Sequence, residues 1–186
     1  ALQLSYLKES IMVKLKSSHI LLRALTPEDL DFLELVENDE NLWYLSDTIQ
    51  PFSRSVLKEY LDNAHKDIYE VKQMRLVIAL HNKQPIGFID LYDFDPKNKR
   101  AGLGILILHD YQSKGYGTEA LELMLDYAFD VLDLHQLFAS IIEENIRSLK
   151  LFRSFGFEVI GLKKDWRYNS GHFQSEYLLQ KLKHVH

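Results

Sequence analysis

The chain has 186 residues, a formal net charge of −5, a pI near 5.9 and no cysteine. Hydrophobic residues at 46% and charged residues at 26% are ordinary for a globular protein, and the length suffices to bury one core. The acidic balance argues against a non-specific nucleic-acid binder and suits a cationic small substrate. The lack of cysteine excludes disulfides, thiolate metal sites and a cysteine nucleophile, and fits a cytoplasmic protein. No apolar run approaches the roughly 18 residues that span a bilayer, so no membrane partner is expected. Residues 1–11 mix Leu, Tyr, Lys and Glu without the pattern of a secretory signal. They read as an upstream extension or an expression remnant, which leaves residues 12–186 as one domain.

Residues 19–25 read as a short strand. Thr26-Pro27-Glu28-Asp29 then opens a helix, with a capping threonine, proline at the first helical position and acids in the first turn. Leu30, Leu33 and Val36 follow at helical spacing. Ser53 opens a second helix whose apolar face is Val56, Leu57, Tyr60, Leu61 and Ala64. From Gln73 the period becomes that of strands, with Met74, Leu76, Ile78 and Leu80 on one face. His81-Asn82-Lys83-Gln84 is a turn, residues 85–94 are the second arm of a hairpin, and residues 100–108 are a third strand. A helix over 116–132, a strand over 135–142, a helix over 145–155 and a strand from Phe157 come next. Asn169-Ser170-Gly171 turns the chain into a final strand over 172–181. No linker or repeat interrupts this order, which predicts a single α/β domain of the α+β kind.

Between the strand ending at Leu108 and the helix from Tyr116 lies Gln112-Ser113-Lys114-Gly115-Tyr116-Gly117-Thr118. A glycine-bearing turn at a helix N-terminus is an anion site. Free backbone N–H groups point outward and the helix dipole adds partial positive charge. The glycines let the backbone approach a ligand, and Lys114 can add a cation. Glycine needed only for turn geometry accounts equally well for the loop by itself. The mononucleotide and dinucleotide phosphate fingerprints are both absent.

The Gln112-to-Gly117 run resembles the pyrophosphate loop of the GNAT superfamily of N-acetyltransferases. Asn145 through Phe152 to Gly156-Phe157 resembles that family's downstream motif, and the element order from about residue 19 onward agrees. The resemblance is nearest to the branch of spermidine and ribosomal-protein alanine N-acetyltransferases. It implies a central mixed, mostly antiparallel twisted sheet of about seven strands with about four helices. It also implies acetyl-CoA as cosubstrate, a small-molecule amine as acceptor, best a polyamine or diamine, and a possible homodimer. A protein N-terminal acetyltransferase and a silent acyl-CoA-binding module are the alternatives.

Carried over residue by residue, the family's cofactor contacts fall on Gln112, Ser113, Lys114, Gly115, Tyr116, Gly117 and Thr118, on the backbone of Leu106 and Leu108 in a splayed strand, and on Asn145 and Phe152. Asn145 is equally a helix N-cap. Many relatives carry at position 152 a tyrosine that protonates the departing thiolate, and phenylalanine cannot do so. Either the thiolate, with a pKa of roughly 8.5, leaves unassisted or takes a proton from water, or the activity is lost or altered. Without cysteine, the amine must attack the bound thioester directly.

Asp90, Asp93 and Glu37 are the candidate bases. Asp90 sits amid apolar residues, where burial should raise its pKa unless a partner such as Arg75 holds it. Relatives of the spermidine type carry a glutamate near Asp90, and an acid where this chain has Gly102. Glu37, Trp43 and Tyr44, with Asp90, are the candidate acceptor wall, through charge and cation–π contact; an acidic run of this kind is also often only a solvated face. The histidines show no metal-ligand spacing apart from His184-Val185-His186, and no metal is predicted.

Overall fold

The computed structural model describes residues 15–46 and 48–184. The opening eleven residues, and His186 with its neighbour Val185, lie outside them. In chain order the elements are β1 Ile20–Ala24, α1 Leu30–Glu37, α2 Trp43–Ser46, α3 Arg54–Asp62, α4 Ile68–Val71, β2 Met74–Leu80, β3 Pro85–Asp95 and β4 Arg100–Ile107. After them come α5 Tyr116–Asp126, β5 Gln136–Ile142, α6 Ile146–Ser154, β6 Glu158–Asn169 and β7 His172–Leu182. The seven strands form one sheet in the order β1-β2-β3-β4-β5-β7-β6, antiparallel everywhere except between β4 and β5. Strand count, mixed pairing and the four longer helices agree with the sequence expectation. The one-turn helices α2 and α4 are additional.

The helix starts arise from local chemistry. Ser53 accepts the Val56 N–H at 3.3 Å to cap α3. Before α1, Asp29 accepts the Thr26 N–H at 2.8 Å, and both its oxygens take a guanidinium nitrogen of Arg23, each at 2.8 Å. Asp29 is 4% exposed. Burial works against its charge, yet the Arg23 and Thr26 bonds outweigh that and hold its pKa below the ordinary value. The helix expected over 116–132 is α-helical only to Asp126 and closes in a π turn over Tyr127–Val131.

Residues of alternate parity line the two sheet faces. One face packs Val77, Ala79 and Phe88 against Leu33 and Val36 of α1 and Leu57 and Leu61 of α3. The other packs Ile78, Ile89, Leu91, Leu103 and Leu137 against α5 and Phe152 of α6. Both faces of the central strands are therefore covered. That is why β2 and β3 carry near-continuous apolar runs rather than clean alternation.

Candidate active site

β4 and β5 pair only through Arg100, Ala101 and Gly102, opposite Gln136, Leu137 and Phe138. Beyond Gly102 the two strands part and β4 keeps only β3 as neighbour. The gap opens into a cleft of about 1000 Å³, walled by Ile105–Leu108, the 112–118 loop, Ile142 and the start of α6. The splay expected from the sequence is present. The backbone parity differs from expectation. The Leu108 N–H donates to Ile86 O at 2.8 Å, so by strand alternation Leu106 and Leu108 turn their backbone groups toward β3. The open edge belongs to the Leu103 carbonyl, the backbone of Ile105 and the Ile107 N–H.

The loop is an N–H cradle. Ser113 and Gly115 have φ of 60° and 85°, and Gly115 sits at the α5 N-cap. A Cβ at Gly115 would meet nothing within 4 Å, so the left-handed backbone alone demands glycine there. The first turn of α5 leaves the N–H groups of Tyr116, Gly117 and Thr118 without helical acceptors. Gln112, Ser113, Gly115, Gly117 and Thr118 line the cleft. Gln112 is structural as well, because its Nε2 donates to Ile107 O at 2.8 Å and pins the loop to β4. Lys114 and Tyr116 are not cleft walls. The Lys114 ammonium lies 5.7 Å from the Tyr111 ring centroid, and the Tyr116 ring is 6.5 Å from that of His19. Asn145 caps α6, accepting the Ser148 N–H at 3.2 Å, and lines the cleft as well, so the two readings of that residue are compatible.

A smaller cavity of about 200 Å³ adjoins the splay, with Gly104 among its walls and Glu37, Trp43, Asp90, Ser140, Ser148, Phe152 and Arg167 around it. Asp90 is not the isolated buried carboxylate suggested by its apolar neighbours. Arg75 Nε reaches its Oδ1 at 2.9 Å and Nη2 its Oδ2 at 3.0 Å, while Nη1 reaches Glu37 Oε1 at 2.5 Å. Burial opposes the Arg75 charge, but the two carboxylates outweigh it and hold its pKa above the ordinary range. The guanidinium also lies 4.7 Å over the Phe88 ring. Asp93 falls in a β3 bulge, exposed, and lines neither cavity. Trp43 donates its ring N–H to Glu37 O at 2.9 Å, and Tyr44 lines the main cleft.

Phe152 is 2% exposed and packs edge-on against Phe157 at 5.0 Å. At Gly102 a Cβ would stand 2.3 Å from the Tyr92 ring, so that ring takes the space an acid would need. Sequence reasoning missed two buried polar residues on the same sheet face. Glu176, 2% exposed, binds Lys163 and Arg167, each at 2.8 Å. Gln174 lines the main cleft. Their alternation along β7 was the available signal.

The acetyltransferase (GNAT) domain family matches residues 19–158. Spermidine N(1)-acetyltransferase of Escherichia coli K12 is 30% identical over 149 residues, covering 78% of this chain and 76% of that protein. Among solved structures, spermidine N-acetyltransferase from Vibrio cholerae in complex with CoA and spermine aligns with a TM-score of 0.81 at 26% identity. That alignment covers 89% of this chain and 96% of the other. A dodecameric structure of the Vibrio cholerae enzyme aligns with a TM-score of 0.75 at 26% identity, over 89% and 95% of the two chains. The splayed strands, the glycine cradle at the α5 N-terminus and these matches agree: the chain belongs to the GNAT family of acetyltransferases.

Proposed function

We propose that the protein transfers the acetyl group of acetyl-CoA to a primary amine of a polyamine or diamine by direct attack. The observation that carries the reading is the parting of β4 from β5 into a cleft that ends on an N–H cradle at one side and on carboxylates at the other. Acetyl-CoA, when bound, supplies an activated thioester. The Tyr116–Thr118 N–H groups suit its pyrophosphate, and the open β4 edge at Ile105 and Ile107 offers backbone groups to its pantetheine amides. The Ile105 N–H can polarise the thioester carbonyl. Asp90 and Glu37 give one lone pair per bonded oxygen to Arg75 and keep others to accept the N–H groups of the amine. As the amine nitrogen bonds to the acyl carbon and the C–S bond breaks, its proton passes to these carboxylates or to water. Phe152 donates none, so the thiolate departs unassisted. The names of the Escherichia coli and Vibrio cholerae relatives support the polyamine acceptor.

The proposal includes self-association. β6 is an edge strand with Ile160, Trp166 and Tyr168 exposed, an edge that invites pairing, and the dodecameric relative lends support. A thiol-release assay with spermidine, putrescine and an alanine-starting peptide tests the function, with light scattering on the same sample for mass. Turnover is expected on the polyamines. Preference for the peptide overturns the acceptor, and CoA binding without turnover on any amine makes the chain a silent binding module.

A further inference from the structure

Among the described residues, Gln174 Oε1 is the one buried side-chain nitrogen or oxygen without a hydrogen-bond partner. The residue is 7% exposed and still forms part of the cleft wall. Its position follows from the register. Glu176 pairs with Ile142, so Gln174 lies two residues beyond the end of β5, on the face that also carries Ser140, Gly102 and Asp90. That is the acceptor face, opposite α5 and the core behind it. Asn41, Leu42, Tyr44 and Leu45 belong to the same cleft wall. Arg167, the β6 partner of Gln174, donates to Tyr44 O at 2.9 Å.

Charge of both signs borders the cleft. Asp90, Glu37 and Glu176 are all held by arginine or lysine. Among the described residues Asp39 and Glu144, which also line the cleft, make no ion pair. Arg147 and Lys150 of the same wall make none either, so it is the unpartnered amide oxygen, not net charge, that sets this part of the cleft apart. An orphaned buried carbonyl is costly in the free protein and favours any ligand that brings it a donor. The last side-chain torsion of glutamine is soft and roughly two-fold, so oxygen and nitrogen can exchange places and the oxygen can face the cleft.

We propose that Gln174 is a specificity-determining residue for the acceptor, its carbonyl accepting a hydrogen bond from a second, interior N–H of the amine chain while the terminal amine reaches the thioester. The enzyme then selects a triamine over a diamine of equal length. The inference rests on the polyamine reading above. A secondary ammonium is charged at neutral pH, so the bond is charge-assisted. The pantetheine amides are the other source of an N–H in this cleft, and the test separates the two.

The KM of the wild-type enzyme is compared for spermidine and for diaminooctane, its isostere with a methylene in place of the interior N–H. The pair is measured again in Gln174→Met, which keeps length and removes the acceptor. CoA affinity is measured by calorimetry throughout. In the wild type the isostere should show a KM about tenfold higher. In Gln174→Met the spermidine KM should rise about tenfold to meet it, with kcat within about twofold and CoA affinity unchanged. Equal KM values in the wild type overturn the proposal and need no variant to fold. A loss of CoA affinity matching the KM change assigns the contact to pantetheine and also overturns it. Failure of the parent reading looks different: neither amine is turned over, or the peptide is preferred.

Discussion

At the β4–α5 end the cleft is made of backbone: an open strand edge, a left-handed glycine and the unpaired N–H groups of a first helical turn. At the β3–β7 end it is made of ionised side chains drawn from α1, β2, β3, β6 and β7 and tied to one another. The first kind of site is set by local conformation and is ready without any long-range partner. The second exists only once the sheet is assembled, and each of its charges depends on a neighbour many residues away. Function and stability are therefore separable at the cofactor end and coupled at the acceptor end.

The largest effect expected from breaking this contrast is at Arg75. Arg75→Met leaves Asp90 and Glu37 facing each other unpaired, with side chains 30% and 19% exposed. Removing one member of a fully buried ion pair costs about 3–5 kcal/mol; water reaching these two carboxylates reduces that to about 2–3 kcal/mol. Urea denaturation at neutral pH measures the loss, which should come with a raised KM for the amine and an unchanged CoA affinity. Wild-type stability in the variant would mean that the cluster contributes nothing to the fold, and the coupling would fall.

The opposite pattern is expected at Gly115. A valine there finds open space for its side chain but must hold φ near +85°, which costs about 1–3 kcal/mol. The loop relaxes to escape that strain and the N–H cradle is lost. CoA affinity should drop at least about tenfold in calorimetry, while the melting temperature moves by only a few degrees. Retained affinity would show that the cradle is not the anion site.

What the sequence made legible follows the same division. Gly115, the Asn145 cap and the Ser53 cap were readable because each acts within a few residues of itself. The strands were readable because their apolar runs are long. The helices Trp43–Ser46 and Ile68–Val71 are single turns, too short to show a period. The backbone parity of β4, which presents Ile105 and Ile107 rather than Leu106 and Leu108, depends on the β3–β4 register and so on the bulge at Asp93 and the turn at residues 96–99. Arg75 was visible as a cross-hairpin partner of Asp90, but its bond to Glu37, 38 residues away, was not. Gln174 and the Tyr92 ring over Gly102 become meaningful only with burial and packing in hand.

Phe152 stands where the two ends meet, and its expected effect is the smallest. Its ring belongs to the core through Phe157, yet it also borders the small cavity together with Ser140, Ser148 and Asn145. Phe152→Tyr adds a hydroxyl to a ring that borders the small cavity. A thiol of pKa about 8.5 leaves readily as the thiolate near neutral pH, so a phenol should raise kcat by less than about tenfold. The new acid should also bend the pH–rate profile downward as the phenol ionises, a limb absent from the wild type. A gain far above tenfold would mean that thiolate departure limits the natural enzyme. A fall in kcat with intact CoA affinity would mean that the position serves packing alone, and that the site at the splay is complete without a proton donor.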